Sequence, residues 1–465
     1  MADAPTNLTR LLGGTEQSCC KAVAGGTGIT VLALQVSKEP NVALFKKALQ
    51  KLQNDHPVLN YMLHKNNSTS FIINPPLTPD HLPLNIINQL KTTELLMSHG
   101  SNATMYPPLH VILEHELNIN EWCDHVTSVG GLQLWFANVY TLPDKKWVLV
   151  LRLHAGICDR TTAVSLLKEL KEAMGAEGGG GGYKEKGNVG IEELIPVEKA
   201  KKTIWARGMD MVTYSVKSFT LTNLKFKDAK SARRSEVVRL KMSTQETHML
   251  LTGCELRGIK LCGALVAATL LAAYSSNKQR HTSKNNRKKY GVVFLNDCRA
   301  YLQPSLSTHE FGFYHSAIST SHDVKGEENL WELATKIYTT FEKSKNNNRH
   351  FSDMTDVNFL VSKAIANPSL TPSSSLRSSL VSAFEDPIIE NFSDIDHELG
   401  LDDYIGCAST HGIGPSVGLF DTIRDGQLDC ACVYPAPLHS REQMEELIAK
   451  MKNVLVESFK MEVNA

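Results

Sequence analysis

The chain has 465 residues, 42% of them hydrophobic, which is enough for a large core and for two or three domains. Lys plus Arg (49) equals Asp plus Glu (49), so the formal net charge is zero. That balance argues against a general nucleic-acid or anionic-membrane binder, which carries a positive surplus. There is no run of about 18 apolar residues to span a membrane. The opening MADAPTNLTRLLGG lacks the basic start and apolar core of a secretory signal. A cytoplasmic chain with reduced thiols is therefore expected, and its ten cysteines read as free. No CxxC pair occurs, and Cys19-Cys20 and Cys430-x-Cys432 are too close to clamp a tetrahedral metal, so no metal is expected. NNST at 66–69 and NAT at 102–104 match the glycosylation pattern but mean little without a signal peptide.

In chain order, ITVLALQV (29–36) predicts a strand. In NVALFKKALQKLQNDHP, Phe45, Ala48, Leu49 and Leu52 recur at helical spacing, and the pattern stops before Pro57. VLNYMLHKN and SFIINPP read as paired strands. QLWFANVY and KWVLVLRLH are two more, separated by the turn TLPDK. After Asp159, Ala163, Leu166, Leu167 and Leu170 form one helical stripe. GAEGGGGGYKEKGNVG is low-complexity. It lacks GK[ST] and a leading strand, so it reads as a surface loop and not a phosphate loop. Residues 196–235 are polar and basic, ending KFKDAKSARRSE, and read as a connector.

A second structured half begins at VVRLKMSTQETHMLLTGCELRG, where Ser243 and Glu246 suit a capping box. KLCGALVAATLLAAY is apolar all round, hence a buried helix, and YGVVFLND is a buried strand. Ser440 with Gln443 caps a last helix with Met444, Leu447, Ile448, Met451 and Leu455 on one stripe. Strands and helices alternate in both halves, so two α/β domains are expected: 1–195 and 236–465, joined by 196–235.

On WVLVLRLH, alternation puts Val148, Val150, Arg152 and His154 on one face. His154 and Asp159 thus sit at a strand-to-helix corner, where Asp159 is a good N-cap type. His154 alone reads equally as a hydrogen-bonded core histidine, and Cys158 beside it as a buried thiol rather than a nucleophile. The basic runs KDAKSARR (227–234) and RHTSKNNRKK (280–289) read as solvated loops.

LHAGICDRTTAVSLLKEL resembles the active-site corner of the CoA-dependent acyltransferase superfamily, whose motif is HHxxxDG, or HxxxD in short form. That superfamily includes chloramphenicol acetyltransferase, the plant BAHD enzymes, alcohol O-acetyltransferases and peptide-synthetase condensation domains. Other segments resemble it in the right order: LLGGTEQ, ALQKLQNDHPVLNYML, LLTGCELRGIKLCGALVAATLLAAY, LNDCRAYLQPSLSTHEFGFYHSAIS and GIGPSVGLFDTIRDGQLDCACVYP. The resemblance implies two chloramphenicol-acetyltransferase-like α/β domains, with mixed sheets, flanking helices and a tunnel at their interface. It implies acetyl-CoA or another acyl-CoA as co-substrate, a small amine or alcohol as acceptor, and a monomer. It further implies that Asp159 pairs with Arg299 of the Asp-x-Arg segment as a structural motif.

The chain departs from the pattern at the base. Aligned on Asp159, the catalytic His position is Ala155, the Gly after the Asp is Arg160, and DFGWG of the BAHD enzymes is absent. This places it nearer the alcohol acetyltransferase and condensation branch. Three expectations follow. His154 takes over as base; or His411, in STHGIGPS, does so; or the chain is a non-catalytic relative that binds a metabolite or a protein partner. The first two make it an acyltransferase, with a look suggestive of plant specialised metabolism.

Overall fold

The computed structural model describes residues 10–65, 71–74, 82–98, 106–123, 131–175, 189–203, 205, 207, 220–276, 287–326 and 328–463. The glycine run at 178–182 and both glycosylation-type sequences lie outside the described residues, as does most of RHTSKNNRKK. The chain divides into two compact units. The first gathers residues 1–195 with 299–314 and 393–408; the second gathers 196–298, 315–392 and 409–465. Two stretches from the later half of the sequence thus belong to the first unit.

In the first unit, β1 (Arg10–Leu11), β3 (Met62–Lys65), β4 (Phe71–Asn74) and β6 (Leu132–Gln133) make a four-stranded sheet in the order β1-β4-β3-β6. Its main sheet takes β2 (Thr27–Val36), β5 (Leu84–Ile87), β7 (Trp135–Thr141), β8 (Trp147–His154) and the late strand β14 (Leu401–Thr410), in the order β14-β2-β8-β7-β5. Pairing is antiparallel at β2–β8 and β7–β8 and parallel at β5–β7. Helix α1 (Gly14–Ala24) leads into β2. Helix α2 (Val42–Asp55) starts where Asn41 accepts the Leu44 N–H at 3.1 Å. It buries Phe45, Ala48, Leu49 and Leu52, the four positions at helical spacing. After α3 (Gln89–Ser98), helix α4 (Pro108–Asn118) covers β2 and β8. On the opposite face, α5 (Arg160–Met174) packs on α2 and β2. It buries Ala163, Leu166, Leu167 and Leu170. β8 is central and exposes almost nothing, which explains its near-continuous run of Val and Leu.

The second unit has one mixed sheet of seven strands, in the order β11-β10-β12-β15-β16-β9 with β13 beside β15. The strands are β9 (Arg234–Lys241), β10 (Lys288–Asp297), β11 (His315–Val324), β12 (Arg377–Phe384), β13 (Ile388–Glu390), β15 (Gly414–Arg424) and β16 (Gln427–Ala436). Pairings β10–β12, β12–β15 and β13–β15 are parallel and the rest antiparallel. Four helices matter here: α6 (Thr244–Glu255), α7 (Leu261–Ser276), α8 (Leu330–Asn346) and α9 (Arg441–Val463). α7 is buried on every side, between α8 and α9. The Ser243–Glu246 capping box forms in both directions, and Ser440 Oγ accepts the Gln443 N–H.

Residues 220–233 are less of a connector than their polarity suggests. The Thr222 N–H donates to Lys289 O at 2.7 Å, the Lys227 N–H to Leu438 O at 2.8 Å, and Leu224 is buried in the core. Each unit is therefore built on a mixed sheet with flanking helices, the first with a second small sheet besides, in the α/β architecture read from the alternation of elements.

Candidate active-site corner

The corner between β8 and α5 is built by backbone constraint first. The Ala155 N–H donates to Gly28 O at 3.1 Å, and the Ile157 N–H to His154 O at 3.1 Å. Gly28 has φ +94°, and a Cβ there would stand 2.9 Å from the Ala155 methyl. Glycine is needed at that position on both counts. At Gly156 a Cβ would stand 2.9 Å from two atoms of the His154 ring. The Gly156 N–H instead donates to His154 Nδ1 at 2.8 Å. Nδ1 is thus an acceptor, and the neutral ring carries its proton on Nε2.

His154 is fully buried. It follows Arg152 on the β8 face that α4 covers. Its ring meets Trp122 edge-on at 5.2 Å between centroids. On the same face Arg152 Nη1 reaches Glu116 Oε2 at 3.1 Å and Nη2 reaches Glu121 Oε1 at 2.7 Å. Glu116 Oε1 also accepts from Asn138 at 2.6 Å and Tyr140 OH at 2.5 Å. The network is buried around Glu116 and Arg152 and opens to solvent at Glu121, and Arg152 Nε makes no hydrogen bond among the described residues.

Asp159 is the node of the corner. Its Oδ1 accepts the Thr162 N–H at 2.8 Å, which caps α5. Its Oδ2 accepts the Tyr314 N–H at 2.8 Å. Arg299 grips both oxygens, with Nη1 at 2.9 Å from Oδ2 and Nη2 at 3.1 Å from Oδ1. Arg299 Nη2 also donates to Thr162 Oγ1 at 2.8 Å, and the Asp159 N–H and Thr162 hydroxyl both donate to Gly312 O. Asp159 and Arg299 are each 3% exposed. A charge pair that dry needs dense hydrogen bonding to be tolerated, and both Asp159 oxygens and both Arg299 Nη atoms have it, while Arg299 Nε makes no hydrogen bond among the described residues. Asp159 is cap and ion-pair partner at once, because its two oxygens face different elements.

The superfamily resemblance implied the Asp159–Arg299 pair but not its companions. Thr162, Gly312 and Tyr314 complete the node, and LNDCRAYLQPSLSTHEFGFYHSAIS carried two of them unremarked. A second cluster had no sequence signal at all. Glu169 on α5 meets His56 Nε2 at 2.6 Å and His309 Nδ1 at 2.7 Å, across 113 and 140 residues. Both histidine contacts help hold the Glu169 carboxyl below its ordinary range against its burial.

Cys158 is buried, and burial followed by the Asp159 charge pushes its thiol well up, so it is no thiolate nucleophile. His411 lies in the second unit. Its Nδ1 is 3.0 Å from Ser235 Oγ, which also accepts the Thr410 N–H at 2.8 Å. Burial, then the charges of Arg377 and Arg233, lower His411 to about 4, so it is neutral at pH 7. Among the described residues no group of three or more His, Cys, Asp or Glu could hold a metal ion. Among the described residues, no helix is long and apolar enough to cross a membrane.

No family model matches the chain, and no curated protein matches it. Solved structures do. The trichothecene 15-O-acetyltransferase of Fusarium sporotrichioides superposes with a TM-score of 0.70 at 9% identity, covering 99% of this chain and 96% of that one. The epimerization domain from the third module of tyrocidine synthetase B gives 0.63 at 12%, covering 99% and 98%. The chain has the fold of these proteins. An X-domain of teicoplanin biosynthesis, solved in complex with OxyB, shares it with a TM-score of 0.57 at 15%, covering 99% and 95%. This acyltransferase and condensation-domain fold therefore carries an acetyltransferase, an epimerization domain and a domain in a protein complex. Fold alone does not choose among such roles.

Proposed function

We propose that the chain transfers an acyl group, acetyl in the first instance, from a CoA thioester to a small amine or alcohol, with amines preferred. The fold shared with an acetyltransferase supports this. The observation that carries it is the Asp159–Arg299 node at the corner where the superfamily motif falls. Such a clamp fixes the backbone around position 155, where relatives of this type carry their base.

The preference for amines follows from the histidines. Position 155 is alanine. His154 is sealed under Trp122 and α4, with Nδ1 already accepting a hydrogen bond from the Gly156 N–H, so its role is to hold the corner. His411, at about 4, is neutral but a weak base at working pH. A missing base costs about 10²–10⁴-fold. A free amine suffers least, since its lone pair attacks the thioester carbonyl directly. The C–S bond breaks, the amide forms, and the proton shed by nitrogen leaves with the CoA thiolate.

The test is CoA-thiol release by the purified chain with acetyl-CoA and matched panels of amines and alcohols. Turnover is expected with amines, with kcat/KM rising with pH through each amine's own ionisation and showing no inflection between pH 6 and 7. An inflection there, abolished in His154→Ala, would restore that histidine as base. No release with any acceptor, and no rise in melting temperature with acetyl-CoA, would overturn the reading.

Ala155 also favours a second reading, a non-catalytic domain that binds a metabolite or a protein partner, as does the X-domain solved with OxyB. Turnover that appears only in Ala155→His would favour it.

A further inference from the structure

One residue of the basic run KDAKSARR, Arg233, has unusual company. Arg377, the first residue of β12, is 2% exposed. Among the described residues its guanidinium is met by backbone carbonyls alone: Nε donates to Ser375 O at 3.1 Å, Nη1 to Thr410 O at 3.0 Å and Pro415 O at 2.5 Å, and Nη2 to Gly412 O. Arg233 comes to the same place. Its Nη1 donates to the same Ser375 carbonyl at 2.5 Å and its Nη2 to Ser374 O at 3.4 Å. Two guanidiniums thus converge on one carbonyl.

Among the described residues, neither Arg233 nor Arg377 has an ion-pair partner, whereas the little-exposed Arg152, Arg299 and Arg441 each meet a Glu or Asp. The ionisable groups beside the pair are His411 and His439, and both arginine charges act to keep these imidazoles neutral. The fully buried His439 has Gln443 as a side-chain neighbour, but no hydrogen bond of full geometry forms at either ring nitrogen among the described residues. Carbonyl dipoles satisfy N–H groups but leave the net charge in place. The loop that supplies those carbonyls is itself strained. Ser373, Ser374 and Leu376 all hold left-handed φ, at +52°, +52° and +58°. Non-glycine residues stay in that region only where the surroundings over-determine them, and such residues gather at functional sites.

The charge faces outward through Arg233. It is half-buried, and its Nε is uncommitted among the described residues. We infer that Arg233, backed by Arg377 and flanked by His411, forms an anion site of the second unit that takes a phosphate group. The planar guanidinium fork matches phosphate oxygens two at a time. Two sources share this chemistry, the phosphates of CoA and free phosphate or pyrophosphate. Only the first rests on the acyl-CoA reading.

The test titrates inorganic pyrophosphate, CoA and 3′-dephospho-CoA at low salt into the wild type, Arg233→Gln and Lys230→Gln. Lys230 is an exposed cation three residues away and serves as control. Circular dichroism confirms that each variant is folded. The site predicts at least a tenfold loss of pyrophosphate affinity in Arg233→Gln, with Lys230→Gln unchanged. Equal pyrophosphate affinity in wild type and Arg233→Gln overturns the site, and so does an equal loss in both variants. If CoA is the source, Arg233→Gln also loses at least tenfold in CoA affinity. If pyrophosphate binding depends on Arg233 while CoA does not bind at all, the site stands and the acyl-CoA reading falls.

Discussion

Asp159 makes two hydrogen bonds to main-chain N–H groups and two to one guanidinium, in a place water does not reach. Removing Arg299 takes the guanidinium away from a buried carboxylate. Arg299→Ala is therefore expected to cost about 3–5 kcal/mol, read as a fall in the urea midpoint. A loss under about 1 kcal/mol would mean that water enters and replaces the guanidinium. Gly28→Ala is a sharper probe, since its new methyl must stand 2.9 Å from that of Ala155 at φ +94°. A destabilisation of about 1–3 kcal/mol is expected from overpacking and backbone strain together. At this scale the sequence was partly legible. The Asp159–Arg299 pair came from the superfamily resemblance of HAGICD and the Asp-x-Arg segment, since nothing in spacing or composition links two residues 140 apart. The direction His154 faces was not legible, since it depends on the Gly156 N–H two residues on and on Trp122, 32 residues earlier.

Elements were the easiest part to read. α2, α5 and α9 bury the apolar positions that their 3.6-residue period marks, and α7 reads as buried because it has no polar face. The capping box of α6 closes as its residue types suggest, so Ser243→Ala should lower stability by about 1 kcal/mol in thermal or chemical melts. Less visible was the close fit of α6 against α8. A Cβ at Gly253 would stand 2.5 Å from the Trp331 ring. Gly253→Val should therefore be worse than Ser243→Ala, although a helix interior ordinarily disfavours glycine. Equal melting temperatures for the two variants would show that α8 can shift aside. No sequence rule places Trp331, 78 residues later, over that glycine.

Across the whole molecule, charge burial is uneven. His322, His350, His411 and His439 all lie in the second unit and are all held neutral by burial first, at about 4, 4, 4 and 3. A histidine whose folded value lies below its unfolded 6.5 stabilises fully above pH 6.5. That contribution is lost as pH falls towards 4, because the unfolded chain accepts protons that the folded one refuses. Each such group lowers stability by up to about 1.4 kcal/mol per pH unit across that window. The urea midpoint of the second unit should therefore drop between pH 7.5 and pH 5; a flat midpoint would show that these rings find protons or partners when folded. The alternation of strands and helices made two α/β bodies legible. It could not show that chain order and spatial order diverge, because nothing local in 299–314 or 393–408 marks them as belonging to the earlier body.

The interrupted first unit bears on synthesis at the ribosome. A chain made from its N-terminus presents Asp159 long before Arg299 exists, and β2 lacks its β14 neighbour until residue 408 has emerged. At about 5–20 residues per second, the first 195 residues wait on the order of ten to forty seconds for their last strand. During that interval the nascent chain holds an unpaired acid at a forming helix start and an open sheet edge, and such an edge is a template for pairing with another chain. A stall placed between residues 195 and 299 should leave a protease-sensitive nascent chain, and one placed well past 408 a resistant first unit.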